Sequence, residues 1–338
     1  MHKKLYFLLM LAFFSCDTEE VRRDRFFIKG NAALDQNNTE EAIRNYSLAI
    51  DLDNSFALAY NNRGVAKLQA DRAAEAIQDY NEAIAIDPKY YECIGNRAHA
   101  YDQINRYEKS LLDWRSLQAA FPDSLELLVS SGLVEAKMTD FKGATKTFEQ
   151  YLKARPEDDE VLVNLAIAQF YLGELEKAES TLDKALNLNQ ENAHAHNALS
   201  QLLQSKGQFE SALSAVEKAI DLEIGNPYFL NNKGLIMIDL DDLEGGLEFI
   251  NRSILLDGKN MWAYRNKGIY FLKKRDAERA LEYFRQVLDK DMFVQDINAY
   301  AGIAFDELDR KQEACSAWKK GMELSETMSQ QLFNRNCL

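Results

Sequence analysis

Proline is scarce, at four residues in 338, and glycine is modest at 15. No stretch is rich in Pro, or in Gly and Ser, so nothing in the chain reads as a linker between domains. Long hydrophobic runs are missing as well. Residues 5–14 are largely apolar, but a helix needs about 20 such residues to span a bilayer. Cations are in deficit: 40 Lys and Arg stand against 54 Asp and Glu, a net charge of −14. That argues against a nucleic-acid partner, whose phosphates demand a basic surface. Histidine occurs only as His2, His99, His194 and His196. The last two are two residues apart, so on a helix they point to different faces and cannot share a metal. There is no HExxH, CxxC, GxSxG or phosphate-cradling Gly-rich loop. Neither a metal, a cofactor nor an enzymatic activity is expected.

The first twenty residues differ from the rest. Lys3 and Lys4 lead into the apolar run, which ends at the small residue Ser15 and then Cys16. A basic start, a short apolar core and a small residue make a secretory leader. The segment resembles a bacterial lipoprotein signal, with Phe13 and Phe14 where that motif ordinarily has Leu and a small residue. The resemblance implies removal of residues 1–15, lipidation of Cys16, and an acidic tether over 16–22. It places the chain in a bacterial cell envelope, periplasmic or surface-exposed. The alternative is an ordinary leader with a chance cysteine. Asp17, Glu19 and Glu20 resemble both an inner-membrane retention signal and a surface-export signal, and the residues do not choose between them.

From Arg23 onward the chain repeats. Pro88, Pro122 and Pro156 stand 34 residues apart. Small residues keep the same period from Gly30 and Gly64 through Ala98 and Gly132 to Gly268 and Gly302. A second small column (Ala42, Ala76, Ser110 onward) follows twelve residues later, and a bulky one (Tyr46, Tyr80, Trp114 onward) four residues after that. Nine units fill residues 23–328 with no insertion or deletion. Each pairs two amphipathic helices with apolar residues at i, i+3, i+4 and i+7. The bulky column is expected to fill the space between units.

This period and these columns resemble the tetratricopeptide repeat. The resemblance implies an all-α, right-handed α-solenoid of nine helix-turn-helix units. They are 23–56, 57–90, 91–124, 125–158, 159–192, 193–226, 227–260, 261–294 and 295–328, with a capping helix and tail over 329–338. It also implies that the first helix of each unit lines a concave groove.

Asn62, Asn96, Asn164, Asn232 and Asn266 share one phase of the repeat, so they form a column along that groove. An amide offers a donor and an acceptor, as does a peptide backbone. The column resembles the asparagine ladder in the repeat arm of O-linked N-acetylglucosamine transferase, which implies grip on an extended peptide. The alternative is that these amides bond to neighbouring helices. Four residues earlier stand Asp24, Glu92, Glu126, Glu160 and Asp296, with no Lys or Arg. The carboxylate-clamp members of the family carry cations there, so an acidic C-terminus is not the expected ligand. Tyr228, Trp262 and Arg265 add an aromatic and basic patch. Three residues after the Asn column, Val65, Leu133, Ile167, Leu235, Ile269 and Ile303 are expected to be mostly core. If the last helix folds back, Cys337 returns near Cys315, which allows a disulfide; otherwise both stay free thiols.

The expectation is a membrane-anchored protein-interaction scaffold that binds an extended, neutral or basic partner segment. Two alternatives stay open: a structural subunit of an envelope assembly, or an accessory binding module of an envelope enzyme or glycan system.

Overall fold

The computed structural model describes residues 18–338 apart from Met292. The leader and Cys16 lie outside the described residues. Among the described residues there are 19 α-helices and no strand. They come as hairpins. The first three pair α1 (Glu19–Asp35) with α2 (Thr39–Leu52), α3 (Ala57–Gln69) with α4 (Ala73–Ile86), and α5 (Tyr91–Gln103) with α6 (Tyr107–Ala120). Next are α7 (Glu126–Lys137) with α8 (Phe141–Ala154), α9 (Asp159–Tyr171) with α10 (Leu175–Leu188), and α11 (Ala193–Ser205) with α12 (Phe209–Leu222). The last are α13 (Pro227–Asp239) with α14 (Leu243–Leu256), α15 (Met261–Lys273) with α16 (Ala277–Lys290), and α17 (Ile297–Glu307) with α18 (Lys311–Glu323). A final helix, α19 (Thr327–Asn336), packs on α17 and α18. The chain is thus an all-α array of tandem helix-turn-helix repeats. No described helix is long and apolar enough to cross a membrane.

Each hairpin turn is built the same way. One residue takes the left-handed conformation: Asn37, Asp71, Asn105, Thr139, Gly173, Gly207, Asp241, Arg275 and Asp309. It lets the next N–H reach back five residues, as in Asn38 to Ala33 and Arg72 to Lys67, closing the first helix. The following helix then starts on an acceptor cap in several units. Asn38, Asp140, Asp242 and Asp276 accept from the backbone N–H three residues on.

The two small columns and the bulky column explain the packing. A Cβ added to Gly30 would come 2.5 Å from Tyr46 Cε1, and one on Gly64 the same from Tyr80 Cε1. Gly132 stands likewise under Phe148, Gly268 under Phe284 and Gly302 under Trp318. The bulky ring therefore lies on the glycine of its own hairpin. It also reaches the next unit: Tyr46 shares a buried cluster with Ala66, and Tyr80 with Cys93 and Ala100. The ring both closes a repeat and joins it to its successor, more than the gap-filling role expected of it.

The described helices form two compact units, one up to residue 113 and one from 114 onward, with the division inside α6. In the first unit, buried Asp79 on α4 holds Arg63 and Lys67 of α3 at 2.7 Å each. Arg97 makes the corresponding forked pair with Asp113. In the second unit buried Glu135 takes Arg115 at 2.9 Å and the Thr147 hydroxyl at 2.7 Å.

The last repeat departs from the pattern. Its first helix starts at Ile297, and the residue before it, Asp296, has φ 57°. The α17 N-terminus is capped from a distance. The buried carboxylate of Glu326 accepts from the N–H groups of Asn298 and Ala299 and from the Asn298 amide. Cys315 and Cys337 form a disulfide, with Cα atoms 5.8 Å apart, tying α18 to the end of α19.

Candidate functional site

Within each unit, consecutive odd-numbered helices touch: α1 with α3, α3 with α5, and on through α13, α15 and α17. No pair of consecutive even-numbered helices makes more than a marginal contact among the described residues. The odd helices therefore line the inner side of each unit, and the even helices splay outward.

The asparagines sit on that inner side and bond to one another. In the first unit Asn96 Nδ2 donates to Asn61 Oδ1, Asn61 Nδ2 to Asn62 Oδ1, and Asn62 Nδ2 to Asn31 Oδ1. The Tyr46 hydroxyl donates to the same Asn31 oxygen. The second unit repeats the arrangement. Asn266 donates to Asn231, Asn231 to Asn232, and Asn232 to Asn197. Three of the four links between repeats run from an Asn of the column to the residue just before the column one repeat earlier; Asn62 instead reaches Asn31, three residues beyond that repeat's column position. The doubled asparagines at 61–62 and 231–232 are thus both members of one relay.

This arrangement uses part of each amide's capacity. Asn62 and Asn232 each donate once and accept once within the relay, and Asn62 also interacts with the Tyr46 hydroxyl. Both are half-buried, as are Asn96 and Asn164. Asn266 is different: it is 0% exposed, so it cannot touch a ligand in this arrangement. Arg265 also departs from expectation. It is buried, with Nε and Nη2 donating to Asn266 Oδ1 and Nη1 to the Gln295 carbonyl. Its guanidinium lies 4.7 Å from the Trp262 ring centroid, and its charge is not displayed to the groove. Tyr228 is 48% exposed, its hydroxyl 3.5 Å from Asp257.

The apolar column three residues beyond the asparagines is mostly core. Ile269 is buried and half-buried Val65, Ile167 and Leu235 pack against core clusters, while Leu133 is exposed and Ile303 half-buried. The inner surface is therefore partly apolar. In the first unit Ile28 and Leu58 stand on it at 64% and 48% exposure. The histidines stay apart, with His194 exposed and His196 buried against the Gln190 carbonyl.

Two turns of the second unit, far apart in sequence, touch. The Thr139 hydroxyl, in the α7–α8 turn, donates to the Leu324 carbonyl in the α18–α19 turn at 3.3 Å. A cleft of about 420 Å³ lies at this seam, lined by Thr139, Phe141, Tyr171, Leu324 and Ser325 among others. Tyr171 on α9 is within electrostatic reach of Arg265 and Asp296, three and four hairpins later. Burial pushes the Tyr171 phenol up to about 12. Burial also raises the Tyr300 phenol and the Asp296 carboxyl, with Arg265 acting in the opposite direction on both. Sequence reasoning missed this contact, since its only local trace is a threonine at a left-handed position where two other repeats have glycine.

The fold and inner surface define a helical-repeat protein. Family models confirm which kind. Models of the tetratricopeptide repeat match residues 135–202, 57–90 and 193–223, and one of the TPR repeat matches residues 30–71. The chain is a tetratricopeptide-repeat protein, with a fold that serves protein–protein interaction in general. No curated protein matches it. Among solved structures, human IFIT1, a dimer with m7Gppp-AAAA, is 15% identical with a TM-score of 0.57, covering 90% of this chain and 77% of that one. The APC/C hetero-tetramer Cut9–Hcn1 is 14% identical with a TM-score of 0.54, covering 95% and 77%. Pseudomonas aeruginosa pilF is 21% identical with a TM-score of 0.47, covering 62% and 96%. At identities this low, the IFIT1 and Cut9–Hcn1 likenesses show the fold and say nothing of the ligand.

Proposed function

We propose that the chain is an interaction scaffold, held at a bacterial membrane through lipidated Cys16, that binds an extended segment of a partner protein along the inner faces of its units. The observation that carries this reading is the composition of the inner face: half-buried amides beside exposed Ile28 and Leu58. Magnitudes divide the roles. Each apolar side chain covered is worth about 1.5–3 kcal/mol, against about 0.5–1.5 kcal/mol net for each amide hydrogen bond. Apolar contact supplies the affinity, and the asparagines hold the partner backbone in register. The net charge of −14 favours a neutral or basic protein segment over RNA, which IFIT1 holds in its complex.

The test is a paired capture from solubilised native membranes. One bait is wild type and the other carries Ile28→Glu and Leu58→Glu, exposed changes that leave helicity intact. Loss of a partner from the second bait supports the reading. Equal recovery on both contradicts it. Intact mass of membrane-extracted protein tests the anchor separately: the anchor predicts the chain from Cys16 plus lipid, and a lipid-free or uncleaved mass contradicts it.

A further inference from the structure

We propose that one edge of the second unit, formed by the C-terminal ends of α12 and α14 and the residues just after them, is where a second copy of this chain docks across a twofold axis. The proposal does not rest on the inner-face reading. The sequence departs from its own repeat at this edge. Leu255 stands where other repeats have Asp51, Asp221 and Asp289, and Ile224 where three repeats have Pro88, Pro122 and Pro156. Ile224 is 87% exposed and Leu255 85%, and Leu222 and Leu256 beside them are exposed as well. Leu222 and Leu256 hold the same phase of consecutive repeats, so the four residues share one edge. Single exposed apolar residues are ordinary, but four grouped at two neighbouring helix ends mark an interaction surface.

The charges around this strip select the occupant. At the end of α12, Asp221 and Glu223 outnumber Lys218. At the end of α14, Arg252 and Lys259 outnumber Asp257, whose carboxylate already accepts from the Lys259 N–H. All are exposed except half-buried Asp257. Arg252 lies three and four residues before Leu255 and Leu256, on the same helix face. Glu223 takes the Asn226 amide at 2.9 Å and lies 3.7 Å from the exposed His194 imidazole, which hold its carboxylate at the surface without burying it. The strip therefore has an acidic flank and a basic flank. A twofold axis between them lays the acidic flank of each copy against the basic flank of the other, and apolar strip against apolar strip. A lipid surface fits less well, because anionic headgroups recruit cations, whereas this rim is mixed and the chain carries a net charge of −14. A partner segment of one charge sign would satisfy one flank and oppose the other.

The test uses two differently tagged full-length copies, co-expressed, solubilised from native membranes and recovered through one tag. Wild type is expected to bring down its second copy. Ile224→Glu with Leu255→Glu in both copies is expected to cut that recovery at least tenfold, with the circular dichroism spectrum unchanged. Charge reversal separates a twofold contact from any other. Asp221→Lys with Glu223→Lys in both copies sets basic flank against basic flank, and Arg252→Glu with Lys259→Glu in both sets acidic against acidic. Each uniform pair is expected to lose recovery, and one copy of each kind together is expected to restore it. No recovery of the wild-type copy overturns the proposal, as does equal recovery in every combination or a mixed pair no better than the uniform ones. Flotation of wild type with neutral phosphatidylcholine vesicles, lost in the Ile224 and Leu255 variant while self-capture persists, assigns the strip to lipid and also overturns it. The Ile28 and Leu58 variant is expected to keep wild-type self-capture while losing its partner, so failure of the dimer and failure of the scaffold reading are distinguishable.

Discussion

Asn266 Nδ2 donates to Asn231 Oδ1 across 2.9 Å, joining α15 to α13 one repeat earlier. Both residues are buried. The same oxygen-to-amide link joins Asn96 to Asn61 in the first unit. A helix-disfavouring residue is tolerated twice in succession because each amide finds its partner across the repeat boundary. The relay is in the first place a stacking device.

Removing one link isolates that device. Asn266→Ala leaves the Asn231 oxygen and two Arg265 donors without a partner. A loss of about 1–3 kcal/mol is expected, read as a lower urea midpoint by circular dichroism. Asn164→Ala, at a half-buried position with the same phase, is expected to cost less.

Close approach of helices separates two glycines. A Cβ on Gly268 meets the Phe284 ring, which can be trimmed; one on Gly234 meets the Gly246 carbonyl at 2.6 Å, which is backbone. Each Ala substitution is expected to cost about 1–3 kcal/mol. Phe284→Leu is expected to recover part of the Gly268→Ala loss, and no side-chain trimming should recover Gly234→Ala. Thermal melts of the single and double variants decide it.

Arg275 occupies the left-handed turn position at φ 60°. L-residues pay about 1–2 kcal/mol for that conformation, and glycine holds the same place as Gly173 and Gly207. Arg275→Gly is expected to raise stability by about 1 kcal/mol, seen as a higher denaturation midpoint.

The cysteines behave differently by position. Cys315–Cys337 closes a loop of sequence separation 22, so Cys337→Ser is expected to cost about 3 kcal/mol on the chain-entropy model. Cys93 is buried and burial pushes its thiol up to about 12. It is expected to resist a thiol reagent in the native protein and react fully in denaturant, as read by mass.

Asp296 gives a pH dependence with a definite sign. Its folded value is raised, by burial first, so the folded state holds more protons than the unfolded one between the ordinary carboxylate value and the raised one. Stability therefore falls as pH rises through that window and stays reduced above it. Asp296→Asn is expected to be more stable than wild type at pH 7 and to lack that fall. Melting temperatures from pH 3 to 8 test it.

Much of this was legible in the sequence, because a 34-residue register carries the helix pairs, the glycine–ring contacts and the Asn column with it. The Asn pairs at 61–62 and 231–232 were visible, but the role of the first member as acceptor for the next repeat was not, since it depends on how adjacent repeats stack. The burial of Arg265 and the exposure of Leu133 follow from the curvature of the inner face, which the period does not encode. The contact of Thr139 with Leu324 spans 185 positions and has no local signal beyond a threonine under backbone strain.

The inner-face claim is tested most directly by a photo-crosslinking residue placed at Leu58, on the inner side of α3, and in a second protein at Arg44, exposed on outer α2. Irradiation in native membranes is expected to trap a defined partner from position 58 and none from position 44. Equal yields from both positions, or a partner trapped only from the outer face, would contradict the account.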